Sequence, residues 1–470
     1  MWNMSTTRQH VRGLTFVLAA ACAASPASAG PDIIVGEIAG VWKWGTLGGT
    51  TGYTLGATSC NVGDADAEWF PIEAEHPVIA QNMYRLRPIG GVMRMEQIGM
   101  SWLKHAGSTV AGDLCGTCNG AQGYVLGVGC SDPYSAQLNG DQVRMGPRSE
   151  VNPWTGSYPY PYNLGWNQSG DVLYKRMQVP NTALDPAVYG DSLYFTEAQY
   201  VCTDEPEAAR LNNVSHRRTT VGPMVGGGWT LSHSAQAGLT QVERPAIYAW
   251  RDHGLGLGVP DPEVLISAVD VPGDGRIYVA SRCYYLGDAY WRYEYAVYNM
   301  NADRAVRLLS IPIPSAITFW DVGMSFPSHH SGEPFSNATW QFSGDNQAGT
   351  WWAPTFDQDP NANAIRWGTM YTFWLMVDRA PSIAPATLGL FKPGETSSVT
   401  VPVYAVSAIP PVCPIDANGD GATNAADLSV LLFQFGQMVE RPGAGADFNA
   451  DGVVNGADLS ALLSNFGCGG

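Results

Sequence analysis

Apolar and polar residues alternate with period two in several segments of the second half of the chain. One such segment, WRYEYAVYNM, places Trp291, Tyr293 and Tyr295 on one face of an extended strand, and the preceding GRIYVASRCYYL carries Ile277 and Cys283 in the same register. Successive side chains of a strand point to opposite faces of a sheet, so this alternation predicts strands.

Three further segments continue the pattern toward the C-terminus. They are ATWQFSGDNQAGTWWAP, a hairpin candidate that turns at Gly344-Asp345-Asn346, then IRWGTMYTFWLMV and SSVTVPVYAV. Five or more such strands at short intervals predict an antiparallel β-sandwich over residues 261–408. Cys283 could form a disulfide to the other sheet or to the preceding region, and the sequence does not decide between them. The strand tracts, NANAIRWGTMYTF above all, resemble stretches of uncharacterised secreted bacterial β-rich proteins, and this resemblance implies no activity.

The region 30–260 is dense in Gly, Pro and aromatic residues, as in YPYPYNLGW. Gly and Pro at such short intervals interrupt regular structure, which predicts an irregular β region of short strands and long ordered loops. Within this region, the sequence does not decide whether the segment 93–106 forms a short helix. Its apolar residues fall near helical spacing, but Gly99 disfavours a helix. Those apolar-spaced residues are Met95, Ile98, Trp102 and His105.

The composition agrees with a mainly β chain of several domains. At 470 residues the chain suggests two to four domains of roughly 150 residues each. Hydrophobic residues make up 45% and charged residues 14%, with 54 Gly and 32 Pro. This balance favours turn-rich β structure and excludes disorder as the main state.

The N-terminus has the pattern of an export signal over residues 1–29. Arg8 and Arg12 form a basic start, an apolar stretch follows, and Ala27-Ser28-Ala29 is a small-residue cleavage site. No later segment supplies the run of about 20 apolar residues that a transmembrane helix needs. We therefore expect a secreted or cell-surface protein without a transmembrane segment.

The mature chain is strongly acidic. Removing residues 1–29 takes away two of the 25 basic residues and none of the 42 acidic ones, so the net charge becomes 23 − 42 = −19. Nucleic acid is excluded as an expected partner, because phosphate binding needs a basic surface.

Eight cysteines remain after export, and an even number in an exported chain favours disulfides, up to four of them. Cys115 and Cys118 have the spacing of a redox pair or half a zinc site, but no second CxxC is present in the sequence. Structural disulfides are the favoured interpretation. The eight are Cys60, Cys115, Cys118, Cys130, Cys202, Cys283, Cys413 and Cys468.

Two stretches near the C-terminus, DANGDGATNAAD (loop one, 416–427) and DFNADGVVNGAD (loop two, 447–458), repeat one oxygen-rich pattern 31 residues apart. Calcium takes about six to eight oxygen ligands, and a 12-residue loop with Gly at its sixth place supplies them from positions 1, 3, 5, 7, 9 and 12. The predicted ligands, with the seventh position acting through its carbonyl, are Asp416, Asn418, Asp420, Ala422, Asn424 and Asp427, then Asp447, Asn449, Asp451, Val453, Asn455 and Asp458. Three carboxylates in each loop repel one another without a cation, so calcium binding and folding are expected to be coupled.

Each loop is followed by apolar residues at helical spacing, which predicts one exiting helix per loop. Pro414 before loop one and RPGAGA before loop two disfavour an entering helix. The apolar residues are Leu428, Leu431, Leu432 and Phe435, then Leu459, Leu462, Leu463 and Phe466.

This duplicated loop-helix unit, with Asp at the twelfth place, resembles the type I dockerin module and covers residues 413–470. The resemblance implies a small all-α domain, two calcium ions, and docking onto a cohesin domain of another protein, typically in assemblies that degrade polysaccharides. The chain departs from the pattern at the docking positions, where Ala425-Ala426 and Gly456-Ala457 replace the usual Ser-Thr pair. Cys413 and Cys468 bracket the module and could clasp its ends, and AIPPVC supplies a stiff linker at 409–412.

The body of the chain lacks the common catalytic motifs. GxSxG, GK[ST], GxGxxG and HExxH are all absent. A cluster of His329, His330, Glu333 and the upstream Asp321 could bind a metal, but a polar loop between strands is the favoured interpretation. Trp351, Trp352 and Tyr298 could stack on sugar rings if exposed, although aromatic residues on alternating strands usually lie in the core.

These features lead to two functional hypotheses. The first is a non-catalytic binding or structural protein whose β-rich body carries a calcium-ordered anchoring module. The alternative is a carbohydrate-active hydrolase of O-glycosyl bonds in polysaccharides, tethered through its dockerin. A glycosidase needs only two carboxylates at the right separation, which sequence does not reveal. Carbohydrate is therefore a candidate partner besides cohesin.

Overall fold

The computed structural model describes residues 29–233, 238–287, 290–313, 317, 319–345, 347–407, 413, 415–418, 423–439, 443 and 445–468. The expected linker at 409–412 lies outside these residues, and so does the expected signal peptide at 1–29 except for Ala29. The first strands are β1 (Ile33–Leu47), β2 (Thr50–Asn61), β3 (Ala67–Glu68), β4 (Val78–Ile89), β5 (Val92–Met100), β6 (Leu103–His105), β7 (Val125–Leu126), β8 (Ser131–Tyr134), β9 (Met145–Gly146), β10 (Met177–Pro180), β11 (Leu193–Val201), β12 (Val214–Val225) and β13 (Gly228–Ser232).

The remaining strands belong to the alternating segments. They are β14 (Leu265–Asp270), β15 (Arg276–Gly287), β16 (Tyr290–Asn299), β17 (Val306–Pro312), β18 (Trp320–Ser325), β19 (Gln341–Gly344), β20 (Ala348–Trp352), β21 (Thr369–Val377), β22 (Pro381–Leu390) and β23 (Ser398–Val406). The α-helices are α1 (Ala136–Asn139), α2 (Pro186–Tyr189), α3 (Tyr248–His253), α4 (Ala425–Gln434) and α5 (Gly456–Ser464). Short 3-10 helices span Gln142–Arg144, Arg148–Glu150, Asn181–Leu184 and Ala209–Leu211.

Strands β14 to β23 form the predicted antiparallel sandwich. One sheet has the order β14-β15-β16-β21-β18 and the other β19-β20-β17-β22-β23. Their inner faces share one core, in which Ile277, Tyr293 and Tyr295 of the first sheet and Leu309 and Val401 of the second are buried. The mainly β fold class with a small helical C-terminal domain is thus confirmed. The hairpin between β19 and β20 is confirmed as well, with Gly344 opposite Gly349.

The strands before residue 260 form smaller sheets. One has the order β1-β2-β10 with β8 also on β2, a second has the order β13-β12-β11-β4-β6-β9 with β5 also on β4, and β3 pairs with β7. The domain boundaries predicted near 30, 260 and 408 stay predictions. Strand β5 lies against the sandwich, where the backbone N–H of Met370 donates to Gln97 Oε1 at 2.7 Å.

Of the two alternatives for residues 93–106, the short helix is wrong, because this segment forms β5 and β6. Strand β5 pairs antiparallel with β4 through a turn at Gly90 and Gly91, whose φ values of 57° and 84° are the left-handed values that favour glycine. Met95 is buried in one cluster and Ile98 packs against another. Because both faces of β5 are covered, its apolar residues lose the period of two and imitate helical spacing.

Three disulfides are present among the described residues: Cys60–Cys115, Cys118–Cys130 and Cys413–Cys468. Structural bridging is therefore confirmed, and Cys115 and Cys118 are not bonded to each other. The disulfide from Cys283, which the sequence left open, does not form. This residue and Cys202 are free and buried, Cys283 within the sandwich core, where burial raises the pKa of its thiol well above the ordinary value.

The C-terminal module has its own small core. Leu431 of α4 and Leu462 of α5 are fully buried there with Ile415, Phe448 and Val454. The Cys413–Cys468 disulfide joins its two ends. Nowhere in the described part of the chain does a helix reach the length and apolarity needed to cross a membrane.

Candidate functional site

Loop two, which the structure describes completely, is folded around its own side-chain oxygens. Asp447 accepts hydrogen bonds from the backbone N–H groups of Asp451 at 3.2 Å and Gly452 at 3.0 Å. Asn449 Oδ1 accepts from Asp451 N–H at 3.0 Å, and Asp451 Oδ1 accepts from Val453 N–H at 2.9 Å. Gly452 has a φ of 86°, which explains glycine at the sixth position. These bonds bend the chain so that positions 1, 3 and 5 lie close together.

The twelfth position closes loop two and starts its helix. Asp458 Oδ1 accepts from the backbone N–H groups of Phe448 at 2.7 Å and Asn449 at 3.1 Å, and its Oδ2 accepts from Asn455 N–H at 2.8 Å. The Asn455 side chain in turn caps α5 by accepting from Ala457 N–H at 2.8 Å. One buried carboxylate therefore joins the beginning of the loop to the N-terminus of α5.

Loop one repeats this closure. Asp427 Oδ1 accepts from the N–H groups of Ala417 at 2.8 Å and Asn418 at 3.1 Å, and its Oδ2 accepts from Asn424 N–H at 2.7 Å. Burial raises the pKa of Asp427, but these backbone donors outweigh it and leave the pKa below its ordinary value. Asp420 and Ala422, two of the six expected ligands of this loop, lie outside the described residues, whereas Asp416 lies within them.

Asp451 is held in its charged form at the exposed side of loop two. The Asn449 amide donates to its Oδ2 at 2.9 Å and the Asn455 amide at 3.1 Å. The Asn449 bond is the main cause of a pKa below the ordinary value of Asp451, with the Val453 N–H next. A charged carboxylate at this position is the state that a cation needs.

The donor set of loop two fits a hard cation. It contains three carboxylates, the amide oxygens of Asn449 and Asn455 and the Val453 carbonyl, all oxygen. Among the described residues, no three His, Cys, Asp or Glu side chains are close enough to hold a metal by themselves. Because the donors of loop two are all oxygens, without nitrogen or sulfur, the set suits calcium better than zinc.

The comparison with protein families agrees with this geometry. Residues 414–466 match the dockerin type I domain. Domains of this family bind calcium and dock onto cohesin partners, so the C-terminal dockerin module of this chain is a calcium-binding anchoring module. No curated protein matches the chain.

Half of the apolar positions on the dockerin helices face solvent. Leu431 and Leu462 are fully buried, but Leu432 and Leu463 are 58% and 56% exposed. Phe435 and Phe466 follow the same duplication at 46% and 49%. Sequence periodicity assigned all of them to one helical stripe and missed this outward set. The sequence did carry a signal for this outward set. Each helix has a wider apolar stripe than the core of so small a module can bury.

The cluster around His329, for which a polar loop was the favoured interpretation, forms no metal site within the described part of the chain. His329 Nδ1 lies 3.9 Å from Glu333 Oε2, whereas His330 Nε2 forms a hydrogen bond with the Met100 carbonyl at 2.9 Å. Asp321 pairs with Arg292 instead. Adjacent histidines thus point to different neighbours, as the alternation of side chains along an extended segment requires.

The three candidate sugar-stacking aromatics have different environments. Trp351 and Tyr298 are each 1% exposed and lie in the core. Trp352, the next residue along β20, is half-buried and lines a surface cavity. Period-two alternation explains why neighbours in the sequence have opposite environments.

Proposed function

We propose that this protein is exported and uses its calcium-loaded dockerin module to anchor a non-catalytic, β-rich binding or structural body to a partner outside the cell. The observation that carries the proposal is the exposed apolar set of Leu432, Phe435, Leu463 and Phe466, which the duplication repeats in and just after both helices. Exposed apolar side chains that recur on one small module are typical of a protein-binding surface.

Two calcium ions would occupy the module, one in each loop. The six oxygen-bearing positions of each loop predicted from the sequence would hold them. Bound calcium neutralises the three carboxylates of a loop, so the charge repulsion that opposes closure of the loop disappears. The orientation of α4 and α5, and with it the docking surface, then depends on calcium.

The partner would be a cohesin-like protein that contacts an apolar surface. The exposed pairs Ala425-Ala426 and Gly456-Ala457 at the helix starts offer no side-chain hydroxyls. Leu432 with Phe435 and Leu463 with Phe466 offer apolar area instead. We therefore assign partner contact to the helix ends rather than the helix starts.

A polysaccharide hydrolase is the second candidate, and one pair of acids favours it. Glu150 and Asp303 line a cavity of about 470 Å³ together with Tyr158 and Lys392. Burial raises the pKa of Glu150, as a general acid requires, while Lys392 binds Asp303 at 2.6 Å as an ion pair. Loss of polysaccharide cleavage in Glu150→Gln, with none lost in the exposed Glu395→Gln, would support this candidate.

A capture experiment tests the anchoring role. The full chain is immobilised and incubated with the native extracellular fraction, with calcium or with a chelator. We expect a partner to be retained only with calcium, and to be lost from the double variant Leu432→Ser, Leu463→Ser. Ile72→Ser, which changes a 65% exposed apolar residue of the body, is the control and should keep the partner. Equal retention of the partner with calcium and with the chelator would contradict the proposal.

A further inference from the structure

A cavity of about 710 Å³ lies on the second sheet of the sandwich, beside β17, β19 and β20. This volume falls within the range of about 300 to 1,000 Å³ that small-molecule sites have. Trp352 of β20 is directly opposite Gln341 of β19, so the two side chains share one face of the sheet. Trp351 faces the core and Gln341 is exposed, which places this face at the surface.

The indole of Trp352 is available to a ligand. Within the described part of the chain, its Nε1 has no hydrogen-bond partner and its ring has no aromatic neighbour in stacking or edge contact. Trp340, a core tryptophan nearby, differs, since its Nε1 donates to the Asn363 carbonyl and its ring packs on Tyr371. A half-buried indole offers a flat apolar face and one N–H donor at its edge.

Polar side chains with spare hydrogen-bonding capacity surround the indole. Arg307 uses Nη1 to donate to the Ala353 carbonyl at 3.0 Å, and Gln358 Oε1 accepts from Thr355 N–H at 2.9 Å. Asp359 Oδ1 accepts from Asn361 N–H at 2.9 Å. These bonds orient the three side chains and leave the guanidinium Nη2, the Gln358 amide nitrogen and Asp359 Oδ2 for a ligand.

The balance of these groups selects a class of ligand. Among the described residues that line the cavity, Arg307 and Asp359 alone are charged, one of each sign, so a charged ligand gains little electrostatic attraction. Several donors and acceptors beside an apolar ring suit a molecule with vicinal hydroxyls on one side and C–H groups on the other. We infer that this cavity binds a neutral saccharide chain, with Trp352 stacked on one sugar ring. The inference rests on the proposed binding role of the body and names its ligand.

Affinity electrophoresis of the full chain tests this site. Native gels would contain hydroxyethylcellulose, arabinoxylan or galactomannan as neutral probes, and alginate as a charged probe. We expect retardation in at least one neutral gel and a smaller one in alginate. Trp352→Ala should raise the apparent dissociation constant about tenfold or more, and Trp352→Phe by less, because it keeps the apolar face.

Two further variants keep the test interpretable. Gln341→Ala, at an exposed position, should weaken binding without affecting folding, whereas Trp42→Ala removes a 44% exposed tryptophan of β1 and should bind as the parent does. No retardation in any neutral gel, equal retardation in alginate, or unchanged binding by both cavity variants would overturn the inference. Calcium-dependent partner capture is measured on the same preparations, so loss of saccharide binding with capture intact counts against this site alone.

Discussion

Arg94 of β5 and Glu294 of β16, which lie 200 residues apart in the chain, form a two-fold hydrogen-bonded ion pair in the interior. Arg94 Nε and Nη2 donate to the two carboxylate oxygens at 2.7 and 2.6 Å, and both side chains are nearly inaccessible. The Arg94 guanidinium also lies 3.6 Å from the ring centroid of Trp374. Arg292 donates to the same carboxylate at 2.9 Å. This pair joins the irregular β region to the sandwich.

Removing one partner of this pair should strongly destabilise the body. Glu294→Met leaves Arg94 charged and buried without its partner, and we expect a loss of about 3 to 5 kcal/mol in the free energy of unfolding. The double variant Arg94→Met, Glu294→Met should cost less than Glu294→Met alone, because no unpaired charge remains. Urea unfolding measures both.

The exposed pair of Arg276 and Asp270 provides the control for that experiment. Its carboxylate side chain is 58% accessible, so Asp270→Ala should change the free energy of unfolding by about 1 kcal/mol or less. Equal effects of Glu294→Met and Asp270→Ala would show that burial does not set the strength of the Arg94 pair.

Asp451 should be needed for calcium but not for the closure of loop two. Its carboxylate is exposed, while Asp458 holds the backbone bonds that close the loop. We expect Asp451→Ala to weaken calcium binding at loop two by about tenfold or more, because one charged ligand is lost. Calorimetric titration of the full chain should still show the loop-one site. Asp357→Ala, which removes an exposed carboxylate of the body, should leave both sites unchanged.

The Cys413–Cys468 disulfide should support calcium affinity. Its closed segment spans 55 residues, for which the chain-entropy relation gives a stabilisation of about 4 kcal/mol. We expect folding and calcium binding of the module to be coupled, so the double variant Cys413→Ser, Cys468→Ser should bind calcium more weakly. The Cys60–Cys115 disulfide has the same separation of 55 residues in the body, so its double serine variant is a matched control. Equal loss of calcium affinity in the two double serine variants would show that the Cys413–Cys468 disulfide does not act locally on the module.

Glu205 should make the stability of the body depend on pH. Burial raises the pKa of Glu205 to about 8, against the bonds that it accepts from Ile33 N–H and Asn213 Nδ2. An unfolded glutamate has a pKa of about 4.3. Between about pH 4.3 and pH 8, the folded chain therefore binds a proton that the unfolded chain has lost. Stability from this group is therefore greatest below about pH 4.3 and is lost as pH rises toward 8, at up to about 1.4 kcal/mol per pH unit.

Glu205→Gln, which stays neutral, isolates this effect. The unpartnered Asn213 Oδ1 can accept from the new amide once the Asn213 side chain turns over. The advantage of the variant over the parent should grow from about pH 5 to about pH 8, while contributions from other titrating groups cancel in the difference. Thermal unfolding across this range measures it, and a constant difference would refute the assignment.

The alternation of apolar residues predicted the sandwich because its strands place every second side chain in the core that the two sheets share. Strands β15 and β16 show this directly, since Ile277, Tyr293 and Tyr295 all lie in the core on the predicted side. The β5 segment stayed open between a short helix and no helix, because its apolar residues fall near helical spacing. Burial of both faces does not by itself hide a strand, since the second faces of β15 and β16 are also buried, at Tyr278 and Tyr298.

Buried polar groups could not be predicted from any local pattern. Glu197 accepts hydrogen bonds from Tyr84 at 2.7 Å, Tyr298 at 3.1 Å and the Ala246 N–H at 2.7 Å, three partners from separate parts of the chain. The same holds for the pairing of Cys118 with Cys130 and for the free thiol of Cys283. Spacing along the chain carries no information about such partners.

The sequence by itself determined the two oxygen-rich loops and the helices that follow them, because a ligand set within twelve residues and its helix cap are local properties of the chain. Only the tertiary structure decided which apolar residues of those helices stay exposed, that Trp351 is buried while Trp352 lines a cavity, and that Arg94 meets Glu294. Each of these depends on which distant segment covers a given face, and packing between distant segments decides that.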